Sequence, residues 1–356
     1  MKKICFITMG NLYTVPYLKS YTKYIDGSYS VIYWDREGKR EEEEQNKYYC
    51  FRKEISPRDK FGKIMGFIQY RRFVKDVLLK EQFDLVIFLQ TWSALLLADV
   101  VEKHYAGRYI VDVRDYTYEN NPIIYHREKK LMNQAAMCVI SSEGYKTFLP
   151  PHEYYVFHNA RELPAEKVAA IRERKKEKEV LHISFIGYVN YQEQHKKMLL
   201  SLKNDPRFHL HFVGTRALEL EPFCKENAIN NVTLIDTFDS SKTIDYYENV
   251  DFVNNLYGNH TPILDYALSN KLYFASELHI PILTCFDTYM SKVSDEYGFG
   301  FAVNVDDPAL GDKLWKYYTS IDWSILSAGC EKFMEKVHAE QKASDEKLIN
   351  IISCEA

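Results

Sequence analysis

A short segment in the second half of the chain combines a helix start, a cation and a carboxylate. Residues 264–287, LDYALSNKLYFASELHIPILTCFD, are predicted to form a loop, a helix that begins near Asn270, and a strand. The free backbone N–H groups of that helix, which follow Ser269, favour an anion such as phosphate, and Lys271 adds a positive charge. Glu277 could accept hydrogen bonds from ribose hydroxyls. The segment therefore predicts a nucleoside diphosphate site, and the alternative is an ordinary capped helix with a solvated lysine and glutamate.

Further candidate contacts follow the predicted strands. The carboxyl ends of parallel strands carry the binding loops of α/β proteins, and a glycine there lets a ligand approach the backbone closely. A second cation for a diphosphate would come from Lys196 or Arg216. The remaining predicted binding residues are Gly10, Asn11, Gly187, Tyr188, Gly214, Tyr257 and Gly258.

A cluster of charged residues, VDVRDYTYE, follows the strand predicted at 109–113. Asp112, Arg114 and Asp115 lie at the end of that strand, where polar substrates are held. If the reaction needs a general base, Asp115 is the first candidate and Asp112 the second. An internal salt bridge within the cluster is the alternative.

The sequence lacks the motifs of several common sites. It contains no G-x-G-x-x-G, no G-x-x-x-x-G-K-[ST] and no H-E-x-x-H, so a dinucleotide cofactor, a P-loop and a zinc protease site are unsupported. It also has no D-x-D, the usual motif for a divalent ion that bridges a diphosphate. We therefore expect neither a cofactor nor a metal.

Composition and charge narrow the class of protein further. The net charge of −4 gives no general attraction to nucleic acid, and 46% hydrophobic residues is typical of a globular protein. The seven cysteines are odd in number and contain no C-x-x-C pair, which argues against a disulfide framework or structural zinc. Neither a signal peptide nor an apolar run of membrane-spanning length is visible, so we expect a cytoplasmic protein.

Short apolar runs alternate with helical patterns along nearly the whole chain, which predicts parallel strands joined by crossover helices. The alternation is interrupted by a charged segment at 163–179, so we expect two domains, 1–162 and 180–335, a linker between them, and a helix at 336–356 that packs back on the first domain. A cleft would form where the domains face each other. The predicted strands are 4–8, 30–34, 84–89, 109–113, 137–141, 154–158, 182–186, 209–213, 233–235, 252–254, 282–285 and 301–304.

The helix predicted at 60–80, KFGKIMGFIQYRRFVKDVLLK, has six basic residues, one acid and many apolar side chains. A helix of this kind can lie on an anionic membrane surface. Because its basic residues are interleaved with apolar ones, a core helix with solvated lysines is an equal alternative.

These patterns together resemble the GT-B glycosyltransferases, in particular the retaining type that builds capsules and cell-surface polysaccharides. The segment at 269–283 resembles the family's pattern of a helix start, a later glutamate and a proline before an apolar strand. The segment "YGFGFAVNVDDP" at 297–308 resembles the family's glycine-rich strand and the acidic helix start that follows it. The chain departs from the family at Phe274, where the ribose-binding glutamate usually stands, at Tyr188, often an arginine, and at His279, usually a glycine. Glu277, on roughly the same helix face, would then take the ribose role. Further similar segments are "SFIGYVN", "LHFVG", "DVRD" and "FHNAR".

The resemblance implies an α/β fold of two Rossmann-like domains around a central cleft, with a helical C-terminal tail. It also implies that the second domain binds a nucleotide sugar, a UDP-sugar as the first expectation, and the first domain a saccharide or lipid-linked acceptor at the inner membrane face, with hinge closure expelling water. Transfer would be metal-independent and retaining, with Lys271 stabilising the leaving diphosphate. A non-catalytic relative is the main alternative, favoured by Phe274 and Tyr188. An epimerase or hydrolase, using His158 and His260, is a third.

Overall fold

The computed structural model describes residues 2–38, 42–56 and 58–353. The chain forms two compact units: Met1–His158 together with Ala339–Ala356 is unit 1, and Asn159–His338 is unit 2. Each unit contains one sheet in which all neighbouring strands run parallel, with helices in the connections. Both units are therefore Rossmann-like α/β structures.

Unit 1 is built on a seven-stranded sheet with the order β3-β2-β1-β4-β5-β6-β7. Its inner strands are continuous apolar runs, such as LVIF at Leu85–Phe88, because both faces of a parallel sheet are covered by helices. The strands are β1 (Ile4–Ile7), β2 (Ser30–Asp35), β3 (Lys47–Arg52), β4 (Leu85–Phe88), β5 (Tyr109–Val113), β6 (Met137–Ile140) and β7 (Tyr155–Val156).

The longest helix of unit 1 covers the sheet through one stripe of buried residues, Gly66, Tyr70, Val74 and Leu78. It begins where the Asp59 carboxylate accepts a hydrogen bond from the Gly62 N–H. The helices of this unit are α1 (Lys19–Thr22), α2 (Lys60–Glu81), α3 (Thr91–Leu96), α4 (Ala98–His104) and α5 (Pro122–Met132).

Unit 2 is built on a six-stranded sheet with the order β10-β9-β8-β11-β12-β13. Consecutive residues alternate between its two cores: Phe252 and Leu283 lie in one, and Val253 and Ile282 lie in the other. The strands are β8 (Leu181–Ile186), β9 (Phe208–Val213), β10 (Val232–Ile235), β11 (Phe252–Asn254), β12 (Ile282–Cys285) and β13 (Gly300–Val303).

The last helix contributes to both units. Phe333 and Val337 lie in a core of unit 2, and Leu348 lies in the core of unit 1. The helices that follow α5 are α6 (Ala165–Arg172), α7 (Gln192–Ser201), α8 (Glu221–Glu226), α9 (Pro262–Tyr266), α10 (Asn270–Glu277), α11 (Tyr289–Glu296), α12 (Leu310–Thr319) and α13 (Trp323–Ser353).

The predicted strands correspond to observed ones, but β3, α1, α9 and α11 were not predicted. The segment interpreted as a linker contains α6, whose Val168 and Ile171 are buried in a core of unit 2. Six cysteines are free thiols, and Cys354 lies outside the described residues. Within the described ranges, no helix combines the length and the apolar character needed to cross a membrane.

Candidate functional site

A cavity of about 440 Å³ opens in unit 2 at the carboxyl ends of its central strands, and we refer to it as the first cavity. Its walls come from the loops after β8, β9, β10 and β11 and from the beginning of α10. Because every contributing strand ends at the same edge of the sheet, loops distant in sequence meet there. Seven of the predicted binding residues line it: Gly187, Tyr188, Gly214, Tyr257, Ser269, Asn270 and Lys271.

Lys271 is the central charged group of the first cavity. The residue is only 5% exposed, and its Nζ donates a hydrogen bond to the Tyr257 hydroxyl at 2.7 Å. The ammonium also lies 3.9 Å from the centroid of the Phe185 ring, a cation–π contact. Among the described residues, no aspartate or glutamate lines this cavity or forms an ion pair with Lys271. The cavity therefore contains a desolvated positive charge whose direct contacts, Tyr257 and Phe185, are neutral.

The N-terminus of α10 adds backbone donors next to this charge. Ser269 stands at the N-cap position, but its hydroxyl donates to Asn255 Oδ1 at 2.7 Å rather than capping the helix. Ser269, Asn270 and Lys271 all line the first cavity. The first turn of α10 thus directs its N–H groups and its positive dipole end to the region that Lys271 occupies.

Two glycines bring the backbone close to the same region. Gly187 and Gly214 have φ values of +133° and +131°, a conformation that other residues rarely adopt. A Cβ on Gly214 would lie 2.0 Å from the Gly187 carbonyl oxygen, so the two loops pack against each other directly. A Cβ on Gly187 would lie 3.5 Å from Lys271 Nζ. Both positions therefore require glycine, and the first cavity depends on them.

The opposite side of the first cavity is aromatic. Tyr247 and Phe274 stack face to face, with ring centroids 4.7 Å apart and an interplanar angle of 2°. Phe274 is the residue that replaces the glutamate of the resembled family, and in this chain it forms part of an apolar wall. This wall suits a flat ring better than a set of hydroxyl groups.

Four predicted binding residues of unit 2 lie outside the first cavity. Glu277, at the far end of α10, forms an ion pair with Arg172, with Oε1 and Nη2 3.3 Å apart. Lys196 lies 3.5 Å from Glu193 Oε1, and Arg216 donates two hydrogen bonds of 2.8 Å to the Glu219 carboxylate. Gly258 lines a neighbouring, smaller cavity of about 180 Å³, here called the second cavity.

The remaining predicted residues lie in unit 1, where a cavity of about 510 Å³ follows β1, β2, β4 and β5. Gly10, Asn11 and Asp115 line this unit 1 cavity. The Asn11 amide donates to Asp35 Oδ1 at 3.1 Å, and its Oδ1 accepts from the backbone N–H of Arg36. Asp115 is exposed, but neighbouring protein atoms remove part of the water around its carboxyl and raise its pKa, and the Arg114 charge opposes that rise. Asp115 is therefore placed to accept a proton.

Asp112 has a different environment from Asp115. Its carboxylate is fully buried, forms an ion pair with Arg114 at 2.7 Å and accepts a hydrogen bond from the Tyr21 hydroxyl at 2.7 Å. The Arg114 guanidinium donates a second bond to the same carboxylate at 2.8 Å. The arrangement matches the internal salt bridge that the sequence left as an alternative, and it holds Asp112 away from the unit 1 cavity.

Several lining residues of the first cavity were missed by the sequence analysis. Ser240 and Thr243 follow β10, and the rule applied to the other strand ends would have found this hydroxyl-rich loop. Arg161 lies at the edge of the segment interpreted as a linker. His158 and His260, the candidates for an epimerase or hydrolase, do not line the first cavity; the His158 ring lies 2.8 Å from Glu340 Oε2.

Comparison with known proteins identifies the fold. No protein-family model matches the sequence, and no curated protein matches it. Solved structures do match over nearly the whole chain. Sucrose-phosphate synthase from Thermosynechococcus elongatus has a TM-score of 0.69 at 10% identity, covering 98% of this chain and 97% of that one.

Two further structures have similar values. Anabaena HepE in complex with UDP has a TM-score of 0.63 at 11% identity, covering 98% of this chain and 99% of that one. WaaG, a glycosyltransferase involved in lipopolysaccharide biosynthesis, has a TM-score of 0.60 at 12% identity, covering 99% and 100%. The chain thus has the GT-B fold of two Rossmann-like units with a C-terminal helix, and the predicted fold class is confirmed.

Proposed function

We propose that this protein is a glycosyltransferase that moves a sugar from a nucleoside diphosphate sugar, UDP being the first candidate nucleotide, to a saccharide or lipid-linked acceptor in the synthesis of a surface polysaccharide. The observation that carries the proposal is Lys271, a nearly buried cation in a cavity without a carboxylate among its described lining residues. A buried charge without an opposite charge costs free energy. A bound diphosphate would offset that cost.

The chemistry that such a site supports follows from where charge develops. When the bond between the anomeric carbon and the diphosphate oxygen breaks, negative charge grows on the leaving diphosphate. Lys271, Arg161 and the N-terminus of α10 would stabilise that charge in place, which is commonly the largest catalytic contribution. These groups are all provided by the chain, and we propose a metal-independent transfer.

The choice of UDP has two supports. HepE, which shares the fold, has been solved with UDP and with UDP-glucose. In this chain the largely buried rings of Tyr247 and Phe274 contribute apolar atoms to the wall of the first cavity, against which a nucleobase can pack.

We propose that the acceptor binds in the unit 1 cavity. Trp92 and Tyr13 line it with rings that remain 43% and 53% exposed, and exposed aromatic rings are suited to the apolar faces of sugars. We propose a retaining transfer, following the resemblance, which needs no carboxylate nucleophile. If the transfer inverts instead, Asp115 would take the proton of the acceptor hydroxyl, since it lines the unit 1 cavity and partial desolvation raises its pKa.

A membrane surface is a further proposed partner. Phe61, Ile64 and Ile68 recur along one side of α2 and are 74%, 58% and 48% exposed. Six basic residues lie on the same helix, so apolar insertion and attraction to anionic lipid could act together. Replacing these three apolar residues by serine should reduce cosedimentation with anionic vesicles. Unchanged binding of that variant, or equal binding to neutral vesicles, would remove this part of the proposal.

The main test is ligand-induced thermal stabilisation. A ligand that binds only the folded protein raises its Tm, so UDP and UDP-sugars should give a shift that saturates with concentration. Lys271→Met should weaken UDP binding by at least about tenfold, or ~1.4 kcal/mol. The matched control is Lys196→Met, since Lys196 lies outside the first cavity and pairs with Glu193. Equal UDP affinity in both variants would contradict the placement of the diphosphate.

A non-catalytic binding protein is the second candidate, and Phe274 favours it. The position resembling the family's ribose-binding carboxylate is part of an aromatic stack, and Glu277 is paired with Arg172. Slow hydrolysis of a bound UDP-sugar, measured as released UDP, distinguishes a transferase from a non-catalytic binding protein. Release that Lys271→Met abolishes supports the transferase. Saturable binding without any release, with a range of acceptors present, supports the binding protein.

A further inference from the structure

We infer that the second cavity holds the sugar of the donor, and that this sugar is uncharged and carries an apolar substituent such as the methyl group of an acetamido function. The inference rests on the proposed function and deepens it by naming the class of donor sugar. The second cavity lies wholly within unit 2.

The position of the second cavity follows from two shared residues. Tyr257 and Ser269 line both the first and the second cavity. The Tyr257 hydroxyl accepts the hydrogen bond of Lys271 Nζ, so this shared wall adjoins the proposed diphosphate position. A donor sugar is joined directly to the terminal phosphate, and the second cavity begins beside the proposed phosphate position, at the two residues that both cavities share.

The size of the second cavity limits what it can hold. Its volume of about 180 Å³ is below the roughly 300–1,000 Å³ of clefts that enclose drug-sized ligands. The first cavity, at about 440 Å³, lies within that range and suits a nucleoside diphosphate. The second cavity therefore suits a single sugar ring or a part of one.

The described lining of the second cavity contains no charged residue. Its apolar surface comes from Ile263, Leu264, Ala267 and Met290, with the rings of two tyrosines. A carboxylate or an ammonium placed there would lose water without gaining an opposite charge. A uronic acid or a free amino sugar is therefore disfavoured.

The two aliphatic hydroxyl groups that line the second cavity are engaged within the chain. Ser269 Oγ donates to Asn255 Oδ1 at 2.7 Å. Thr288 Oγ1 donates to the Cys285 carbonyl at 2.9 Å and accepts from the Ser291 N–H at 3.1 Å. Each additional sugar hydroxyl would therefore compete for few partners, whereas a methyl group would pack against the apolar wall.

The test compares donors that share one nucleotide. Dissociation constants for UDP, UDP-glucose, UDP-N-acetylglucosamine and UDP-glucuronic acid are measured by calorimetry on the full chain. UDP-N-acetylglucosamine should bind at least about tenfold more tightly than UDP-glucose, since discrimination by one apolar group in an apolar pocket is of this order. UDP-glucuronic acid should bind more weakly than UDP itself.

A cavity-filling variant tests whether the second cavity causes the preference for the acetamido donor. Ala267→Leu adds bulk inside the second cavity and should remove the preference for the acetamido sugar, while the affinity for UDP stays within about twofold. Ala343→Leu makes the same change at an exposed position of α13 and should leave all affinities unchanged. If Ala267→Leu lowers the Tm more than the control, Leu264→Asn tests the same wall without added bulk, and it should shift the preference toward UDP-glucose.

The outcomes separate the two proposals. If UDP binds but UDP-glucose or UDP-glucuronic acid binds as tightly as the acetamido donor, this inference is wrong and the proposed function stands. A preference that survives both cavity variants also overturns it. If UDP itself does not bind, the proposed function fails and the inference fails with it.

Discussion

Each unit has a buried cation at the carboxyl end of its sheet, and the two cations are used in opposite ways. In unit 1, the Arg114 guanidinium makes a double contact with the buried Asp112 carboxylate. In unit 2, Lys271 is also largely removed from water, but its hydrogen-bond partner is the neutral Tyr257 hydroxyl. The Arg114 cation offsets the charge of its buried carboxylate partner. A cation without a carboxylate partner is available to a ligand, and in the unliganded protein its burial lowers the free energy of unfolding.

The largest expected effect comes from exchanging the two cations for methionine. Arg114→Met leaves Asp112 as an uncompensated buried charge, so we expect a loss of about 3–5 kcal/mol in the free energy of unfolding. Lys271→Met removes a charge that has no opposite partner, so the unliganded protein should keep its stability or gain some. Denaturant unfolding of both variants checks this comparison.

The double variant Asp112→Asn/Arg114→Met serves as the control for that pair. Removing both charges should recover part of the stability lost in Arg114→Met, because no buried charge is left alone. If Lys271→Met proves as damaging as Arg114→Met, then Lys271 is a structural residue and the contrast between the units does not hold.

The units should also differ in how their stability depends on pH. In unit 1, burial raises the pKa of Glu128 to about 8, and the nearby Glu119 carboxylate adds to the rise. The folded protein then keeps a proton that the unfolded chain releases, so stability falls as pH rises between about 4.5 and 8, by at most ~1.4 kcal/mol per unit. Glu128→Gln should flatten the decrease in Tm between about pH 6 and about pH 8.5. An unchanged slope in Glu128→Gln would show that another group causes it.

Unit 2 should lose stability at low pH rather than at high pH. Burial between Phe185 and Phe212, together with the Lys271 charge, lowers the pKa of His195 to about 3. The unfolded chain binds a proton below about pH 6.5, whereas the folded protein does not, so stability falls as pH decreases from there. His195→Leu should reduce the loss of Tm between about pH 6.5 and about pH 5. His211, whose pKa burial lowers to about 4, should retain part of that loss.

Much of the fold could be predicted from the sequence. Parallel strands that are buried on both faces are short continuous apolar runs, such as those that form β1 and β4. The strand β3, KYYCFR, was missed: it lies at the edge of its sheet and is only half-buried, and its run of two tyrosines, a cysteine and a phenylalanine lacks the aliphatic residues of the inner strands.

The first cavity was predictable where the strand-end rule applied, which gave Gly187 and Gly214, and where a helix start followed, which gave Lys271. The rule cannot show where a side chain turns after its backbone leaves the strand. Glu277 and Arg216 both follow from sequence spacing, but each is drawn away by a nearby opposite charge, Arg172 and Glu219 respectively. Long side chains near an ion-pair partner are therefore the ones that sequence reasoning misplaces.

A smaller effect is expected at the close contact between two loops of the first cavity. Gly214→Ala would place a Cβ 2.0 Å from the Gly187 carbonyl oxygen in a backbone conformation with φ of +131°. We expect a loss of about 1–3 kcal/mol in stability and weaker UDP binding, because the loops must separate. Gly107→Ala is the matched control, since Gly107 also has a positive φ but has open space around its Cβ position. If both variants bind UDP equally, the contact between Gly187 and Gly214 does not shape the cavity.

The smallest effect should distinguish the two ends of α10. Glu277→Gln breaks a partly exposed ion pair with Arg172, so we expect a change in stability below about 1 kcal/mol. UDP affinity should remain within about twofold, because Glu277 lies at the end of the helix opposite to the first cavity. The same change in a residue that held the ribose would weaken UDP binding and leave binding of inorganic pyrophosphate unaltered. Calorimetry with both ligands measures the difference, and a selective loss of UDP affinity would return the ribose role to Glu277 and make the aromatic wall at Phe274 incidental.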